Sequence, residues 1–235
     1  MSEDAPQEPE AGSLILKKAG PLGVTLGLIA GDQLVAINGL PFSGTLEGLR
    51  TRIGTQGADA ALTFKRNDKS RVVLAQTFEL GVWEMGPKLE PTVLKPKRIH
   101  PAGMQNWEVF RSADGLYDLQ SLTPPSLALL PPIWLAQARL WTQLGIWGAI
   151  TLASIPAGIW ISLILQGLMS LYFWRAAPTL FRADRLARGM RGLAILAAPN
   201  EAKIHEAMAD LDPKLRYIYA ANTETASEEA EPESA

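Results

Sequence analysis

Residues that could carry catalysis or bind a metal ion are few in this chain and lie far apart. The two histidines, His100 and His205, occur in different segments, and there is no cysteine. Disulfides and thiolate chemistry are therefore excluded, and no pair of histidines has the spacing of metal ligands on one helix face. Asp32 follows a glycine and is typical of a turn cap. Two acidic pairs are predicted to be solvated surface charges: Asp114 with Asp118, and Glu201 with Glu206. We expect no metal site, no cofactor and no enzymatic activity.

Arginines on both sides of an apolar stretch indicate a site that binds anionic groups. One arginine precedes the stretch and several follow it at intervals of three or more residues. Guanidinium groups beside a membrane segment are well placed to bind anionic lipid headgroups, a simpler explanation than binding to nucleic acid. The candidate headgroup-binding residues are Arg139, Arg175, Arg182, Arg185 and Arg188.

The stretch between these arginines, residues 140–174, contains 35 residues without Asp, Glu, Lys or Arg. A run of this length is typical of a membrane-buried segment, because the hydrocarbon core is about 30 Å thick and about 20 helical residues cross it. As one straight helix the run would extend about 52 Å, well beyond that thickness. Two forms remain open: one transmembrane helix kinked at Pro156, or a helical hairpin that bends at residues 154–158.

The charges beside the stretch favour the hairpin. Basic residues precede and follow it, and both flanks are therefore expected on the cytoplasmic side. The first 13 residues are acidic and polar and contain no apolar core of a secretory signal. We expect an integral protein of a bacterial inner (cytoplasmic) membrane, with both termini in the cytoplasm.

The chain before the membrane segment predicts a small, mostly β module at residues 14–77. Five short strands are expected, at residues 14–16, 24–29, 33–38, 61–66 and 71–74. The dipeptide Asn38-Gly39 is a strong signal for a turn. A short amphipathic helix is expected at residues 45–53, because apolar residues recur there at helical spacing and Ser43 or Thr45 is available as a cap.

The order of these elements resembles the second half of a PDZ domain. The run GDQLVAINGLPF is followed by the helix TLEGLRTRI and the strand pair ALTFKRNDKSRVVL. Members of that family show the same order of Gly-Asp, an Ile-Asn-Gly or Val-Asn-Gly turn, a groove helix and a closing hairpin. The resemblance covers residues 14–74, less than a third of the chain. It implies a groove in which a peptide adds to a sheet edge while backbone N–H groups hold its terminal carboxylate.

By this resemblance, residues 20–24 would form the carboxylate-binding loop and residues 24–28 the strand that accepts the peptide. The predicted helix would form the opposite wall. The implied peptide-binding residues are Gly20, Leu22, Gly23, Val24, Leu46, Leu49, Arg50 and Ile53. Only seven residues separate Val24 from Gly31, so the strand and small helix that intervene in the family are missing or shortened. Docking through another surface of the module is therefore an open alternative.

The chain between the module and the membrane segment divides into two parts. Residues 78–125 are expected to form a proline-rich connector that contains one β-hairpin, which turns at Asp114-Gly115. Residues 126–139 predict an interfacial segment with Trp134 and Trp141 at headgroup depth, or an extension of the first membrane arm.

After the membrane segment, residues 175–219 predict a pair of basic cytoplasmic helices, at residues 178–197 and 200–211. Residues 1–13 and 220–235 contain acids and no bases, which predicts disordered tails. The expected fold class is α+β, with a PDZ-like module, a β-hairpin, a membrane segment and a C-terminal helical pair.

Two classes of function fit these features. The first is a membrane-anchored, non-enzymatic interaction or scaffold protein, whose PDZ-like module recruits, assembles or positions membrane-protein partners. The alternative is a stoichiometric accessory subunit of a larger integral membrane complex, in which small residues of the hairpin contact other helices. In both cases the expected partners are other membrane proteins and anionic lipid headgroups, without nucleic acid or metal.

Overall fold

The structure is a computed structural model that describes residues 12–53, 57–67, 69–87 and 97–220. Within these residues the protein is mixed α+β, with two β-sheets and six α-helices, and the expected α+β class is confirmed. The chain forms two compact units. The first comprises residues 1–106 and 194–211, and the second comprises residues 107–193 and 212–235.

The first unit is built on an antiparallel sheet. Its strands are β1 (Ser13–Ala19), β2 (Gln33–Ile37), β3 (Leu40–Pro41), β4 (Ala60–Arg66), β5 (Lys69–Ala75) and β6 (Gly81–Gly86). Their order is β5–β4–β2–β1–β6, and β3 pairs with β2. Asn38 and Gly39 have φ angles of 51° and 75°, the left-handed conformation that a tight two-residue turn requires. The turn predicted at this dipeptide is therefore confirmed.

Three helices belong to the first unit: α1 (Pro21–Thr25), α2 (Leu46–Ile53) and α6 (Glu201–Leu211). The Oγ1 of Thr45 accepts a hydrogen bond from the Gly48 N–H at 3.3 Å, which caps α2. The Oδ1 of Asn200 accepts one from the Lys203 N–H at 3.1 Å and caps α6 in the same way. Both helices were expected from the sequence, and both are present within two residues of the predicted bounds.

Two features of the first unit differ from the predictions. Strand β6 lies in the segment assigned to the connector, yet it pairs with β1 from Ser13↔Gly86 to Ala19↔Gly81. The glycine at each end of this strand and Pro87 directly after it are atypical of a strand, and β6 is stabilised by its pairing with β1 along its whole length. The strand predicted at residues 24–29 is also wrong. Pro21 occupies the first turn of α1, where its fixed φ favours a helix, and Gly27 then turns the chain with a φ of 68°.

The second sheet is made of strands β7 (Gln105–Arg111), β8 (Leu116–Ser121), β9 (Arg191–Ala198) and β10 (Arg216–Tyr217). Their order is β10–β8–β7–β9. Strands β7 and β8 form the predicted hairpin, in the register Trp107↔Ser121 to Arg111↔Tyr117, and Gly115 in its turn has a φ of 74°. Strand β10 lies parallel to β8.

The helices of the second unit are α3 (Pro131–Gln137), α4 (Trp141–Ser154) and α5 (Ile159–Ala187). A 3₁₀ turn at Ser126–Leu129 precedes α3, and a second one at Ile155–Ala157 joins α4 to α5. A buried cluster holds α3 against the base of α4 and α5. It contains Ala128, Trp134, Leu135, Leu140, Met169, Phe173 and Ala177.

Two predictions for this part of the chain are wrong. Residues 191–198 are strand β9, so helix α5 ends at Ala187 and a strand, rather than the rest of the predicted helix, precedes α6. Gly189, with a φ of 80°, stops the helix before the β-branched and apolar residues that follow. Helix α3 does not extend the first membrane arm, because Arg139 turns the chain with a φ of 57°. Trp134 packs in the buried cluster at the base of α4 and α5, and its expected headgroup depth stays a prediction.

Candidate membrane-anchoring site

Helix α5 is long and apolar enough, by length and composition, to cross a membrane. Among the residues that the structure describes, it is the one helix that meets this criterion. Its 29 residues extend about 43 Å. Only 11% of its most apolar window is buried within the protein, whereas the central helix of a soluble domain would be mostly buried. This helix therefore presents its apolar side chains outwards.

Helices α4 and α5 form a hairpin, not a single kinked helix. The Nε2 of Gln166 donates a hydrogen bond to the Oγ1 of Thr151 at 2.8 Å. Nearer the bend, the Oγ of Ser162 donates one to the Ser154 carbonyl oxygen, also at 2.8 Å. A kinked continuous helix would hold Thr151 and Gln166 more than 20 Å apart, since 15 residues separate them. The bend falls at Ile155–Ala157 and Gly158, within the residues where the hairpin was predicted.

The polarity of this hairpin is the reverse of that of a helix pair in water. The hydroxyl and amide groups of Thr151, Ser154, Ser162 and Gln166 bond within the hairpin. Thirteen large apolar or aromatic side chains are instead exposed along it. They are Trp141, Ile146, Ile150, Leu152, Ile155, Ile159, Trp160, Ile161, Leu163, Ile164, Leu168, Leu171 and Tyr172. An arrangement with polar groups inside and apolar groups outside suits a hydrocarbon solvent.

The bend of the hairpin is exposed and apolar. Ile155, Ile159 and Trp160 are 63%, 68% and 77% exposed, and the 3₁₀ turn between the two helices contains no charged residue. Gly158 adopts a φ of 94°, which side-chain-bearing residues rarely adopt, and this conformation lets α5 start directly after the turn. The hairpin therefore ends in a compact apolar tip.

Arg185 does not have the headgroup role predicted for it. It is only 3% exposed, and its Nε donates to the Oδ2 of Asp118 at 2.5 Å. Its Nη1 donates to the Oδ2 of Asp184 at 2.6 Å, and its guanidinium lies 4.0 Å from the centre of the Phe181 ring. Asp118, predicted to be a solvated charge, is itself buried. A charge buried and paired in this way is held inside the unit and cannot reach lipid.

The other predicted headgroup arginines lie at the surface. Arg175 is exposed one residue after Trp174. Arg188 forms an ion pair with Asp184 at 2.8 Å and donates a hydrogen bond to the Arg139 carbonyl oxygen at 3.0 Å. Arg139 is exposed, with its guanidinium 5.0 Å from the Tyr219 ring centre. These three residues flank the base of the hairpin in sequence, and the structure leaves their headgroup role as a prediction.

Arg182 is half exposed and lies 3.4 Å from the Oε1 of Glu108. Burial raises the pKa of Glu108 above its usual range, and the positive charge of Arg182 lowers it in part. Glu108 is on β7 and Arg182 is on α5, so this ion pair joins the helix to the sheet of the second unit. Arg182 therefore forms an ion pair within the protein while about half of its side chain stays exposed.

The residues of the implied peptide groove fall into two groups in the first unit. Leu49 and Ile53 on α2 are buried in the core, and so is Gly23, where a Cβ would come within 2.2 Å of the Leu80 carbonyl oxygen. Leu22 and Val24 on α1 are exposed. Gly20 is partly buried, and the two remaining predicted residues, Leu46 and Arg50 on α2, are exposed. The resemblance to PDZ domains implied a strand at residues 24–28 to which a peptide would add. That strand is absent, because the chain forms α1 at its start.

Asp32 has a larger role than the predicted turn cap. It does accept the expected hydrogen bond from the Ile29 N–H at 2.9 Å. It is also fully buried and forms ion pairs with Arg66 at 2.6 Å and with Arg71 at 2.5 Å. Burial acts to raise the pKa of Asp32, but the hydrogen bonds from Arg66 and Ile29 and the two positive charges outweigh it. The pKa of Asp32 is therefore lower than usual.

A cleft in the second unit was not predicted from the sequence. It has a volume of about 500 Å³ and lies between the β7–β8 turn and the start of β9. Its lining residues are Arg111, Ser112, Ala113, Gly189, Arg191, Gly192 and Leu193. These residues come from two distant parts of the chain, so no local pattern reveals them. Two of these residues are arginines, and one of them, Arg111, forms an ion pair with Asp212 at 3.8 Å.

Within the described ranges there is no cluster of three or more His, Asp or Glu side chains that could hold a metal ion. Comparisons of the chain with protein-family models, with curated proteins and with solved structures each found no match. The function of this protein must therefore be inferred from its own residues and geometry.

Proposed function

We propose that this protein is a membrane-anchored, non-enzymatic interaction protein of a bacterial inner membrane. Helices α4 and α5 insert into lipid, and the first unit, which contains the PDZ-like module, recruits or positions membrane-protein partners. The observation that carries the anchor is the reversed polarity of the hairpin, with thirteen large apolar or aromatic side chains exposed and the polar groups bonded inside.

The energetics of the exposed side chains support the anchor. Burial of one large apolar side chain contributes roughly 1.5–3 kcal/mol, so transfer of the hairpin into lipid would release well over ~10 kcal/mol. A soluble monomer rarely exposes a continuous apolar patch larger than a few hundred Å². The same surface in water would drive aggregation, and a lipid environment removes that cost.

The surface charges support a defined depth of insertion. Exposed Arg139 and Arg175 flank the hairpin in sequence, and Trp141 and Tyr172 are exposed near its base. Arginine at anionic headgroups and aromatic rings at the interface are the usual pattern where a helix leaves a membrane. Both flanks are basic, which favours placement of both on the cytoplasmic side.

The interaction role rests on exposed apolar residues of the first unit. Leu22, Val24 and Leu46 are 40%, 63% and 40% exposed, although they belong to the elements that the PDZ resemblance assigns to peptide binding. A partner peptide would use these side chains and the exposed Arg50, whereas Leu49 and Ile53 support the wall from the core.

The peptide-binding test compares the intact protein in detergent with variants of the exposed residues. Fluorescent peptides with free or amidated carboxyl termini serve as the probe. Leu46→Asp should reduce capture of the free-carboxyl peptides at least tenfold, and Leu40→Asp, an equally exposed position on β3, should leave it unchanged. Equal binding of amidated and free peptides would reject the carboxylate loop, and capture that is insensitive to Leu46→Asp would reject this surface.

An accessory subunit of a larger membrane complex is the second candidate. A Cβ placed at Gly145 or at Gly148 on α4 would meet no atom within 4 Å, and Ala149 and Ala153 on the same helix are exposed. Small exposed residues on a membrane helix allow another helix to approach closely. Extraction in mild detergent followed by sizing separates the two candidates: a fixed stoichiometric partner supports the subunit, and a lone protein that captures peptides supports the scaffold.

A further inference from the structure

We infer that the tip of the α4–α5 hairpin ends inside the hydrocarbon of the bilayer, past its midplane and short of the far headgroups. The chain thus enters and leaves the membrane on the same face. This inference rests on the proposed membrane anchor and adds the depth and the chemistry of its contact. The contact is with acyl chains of both leaflets and with headgroups of one leaflet only.

The first argument is reach. Helix α4 has 14 residues and extends about 21 Å. The charge-free part of α5, residues 159–174, extends about 24 Å before Arg175. The hydrocarbon core is about 30 Å thick. With Arg175 at the near headgroups, the bend would lie several ångströms short of the far boundary and well beyond the midplane.

The second argument is the base of the hairpin, which limits how far it can sink. Trp134 and Leu135 of α3 pack in one buried cluster with Met169, Phe173 and Ala177 of α5. Beyond this cluster, Arg185 is fixed by its buried ion pairs with Asp118 and Asp184. The part of α5 after Trp174 therefore belongs to the packed unit, and it is not available to lengthen the membrane arm.

The third argument is the backbone at the bend. The last four carbonyl groups of a helix have no partner within that helix. At the end of α4, the Thr151 carbonyl accepts from the Ser154 Oγ at 2.7 Å, and the Ser154 carbonyl accepts from the Ser162 Oγ at 2.8 Å. The Ile155 N–H bonds the Leu152 carbonyl, and the Gly158 N–H bonds the Ile155 carbonyl at 3.2 Å. Serine hydroxyls take the place of water at these carbonyls, as required in a medium without water.

The side chains at the tip agree with this position. Ile155, Ile159 and Trp160 are exposed at the bend, and the turn between the helices has no Lys or Arg that would reach phosphate on the far side. A hairpin that crossed the bilayer would expose this turn to water or to headgroups, where polar or charged residues are favoured.

The experiment uses single cysteine variants of the full chain, which contains no native cysteine. Ala157→Cys reports the tip, and Ala183→Cys, an exposed site on α5 beyond the base, is the matched control. In sealed vesicles, a membrane-impermeant maleimide should label Cys at 183 from one face. It should label Cys at 157 from neither face until detergent is added.

Depth is measured with the same tip variant and with Ile150→Cys, both carrying an NBD fluorophore. From the lengths of the helices, position 150 lies near the midplane and the tip about 9 Å beyond it. Lipids with a nitroxide deep in the acyl chain should therefore quench position 150 at least twofold more than the tip, and the reverse order would show that the hairpin stops at or before the midplane. Labelling of the tip from the face opposite to residue 183 would overturn the inference but leave the anchor intact. Release of the protein from vesicles by carbonate, with every cysteine labelled, would overturn the proposed anchor itself.

Discussion

Helix α6 and the α4–α5 hairpin differ in which side chains they bury. In α6, Ile204 and Met208 are buried, while Lys203 and Glu206 form an exposed ion pair at 2.6 Å. In the hairpin, Gln166 bonds inwards to Thr151 and the apolar side chains are exposed. In each element the exposed side chains match one kind of surrounding: charged side chains are favourable in water, and apolar side chains are favourable in hydrocarbon. Under the proposed membrane anchor, the two elements face different solvents.

The largest effect is expected from charges on the outside of the hairpin. Leu163→Lys combined with Ile164→Lys should reduce the membrane–water partition constant by at least a factor of 10³, because each lysine near the middle of a bilayer costs about 2.5–3.5 kcal/mol. Flotation of the protein on a density gradient, over a range of liposome concentrations, measures this constant. Ala202→Lys on the exposed face of α6 is the control and should float like the unmodified protein.

The next largest effect is expected from the loss of the buried ion pair between Arg185 and Asp118. Arg185→Ala should lower the free energy of unfolding by about 3–5 kcal/mol, because it leaves the Asp118 carboxylate buried without its partner. The same change should not alter the membrane-bound fraction of the protein that remains folded. Urea unfolding in detergent measures the first quantity and flotation the second. If Arg185→Ala lost membrane binding without losing stability, the headgroup role first predicted for this residue would be restored.

The buried charges of the first unit give a pH dependence. Because the pKa of Asp32 is lower in the folded state than in the unfolded chain, its ion pairs stabilise the fold above the unfolded value of about 4. This contribution is lost as the pH falls through the lowered value. Asp32→Asn should destabilise the protein by roughly 3 kcal/mol at neutral pH, since it leaves Arg66 and Arg71 without their carboxylate.

The measurement for Asp32 is the midpoint of thermal unfolding from pH 7 to pH 2. The difference between the variant and the unmodified protein should narrow below about pH 4, where the Asp32 carboxylate of the unfolded chain binds a proton, and it should be lost as the pH falls through the lower pKa of the folded state. A difference that stays constant over this range would show that Asp32 does not titrate as its environment indicates.

The smallest effect is expected inside the hairpin. Gln166→Leu removes the bond to Thr151, and interhelical hydrogen bonds within membranes are worth only about 0.6 kcal/mol on average. Membrane binding should be unchanged or slightly stronger, and resistance of the hairpin to proteolysis in detergent should fall by less than threefold. A loss of membrane binding would contradict the assignment of Gln166 to the inside of the hairpin.

Much of the local structure could be predicted because its causes lie within a few residues. The turn at Asn38-Gly39, the cap at Thr45 and the bend after Ser154 each follow from the conformational preferences of the residues themselves. Features that depend on distant partners were missed. Strand β6 exists because β1 pairs with it, and the cleft lined by Arg111 and Arg191 joins two separate turns.

The membrane-anchoring hairpin was also predicted only in part. The absence of charge in residues 140–174 was enough to predict a membrane segment, and the flanking arginines were enough to favour a hairpin. The direction of each polar side chain could not be predicted. The inward hydrogen bonds of Ser162 and Gln166, which carry the inference about lipid, appear only when the two helices lie side by side.

By itself, the sequence determined that this chain carries a long charge-free apolar run, a bend within it, and a small β-rich module before it, because composition and turn chemistry act locally. Tertiary structure alone decided which charges reach the surface. Arg185 is a surface cation by sequence, but Asp118, 67 positions away, pairs with it and buries it. The environment of a side chain depends on the residues that pack against it. When those residues are distant in the sequence, a local pattern does not predict them.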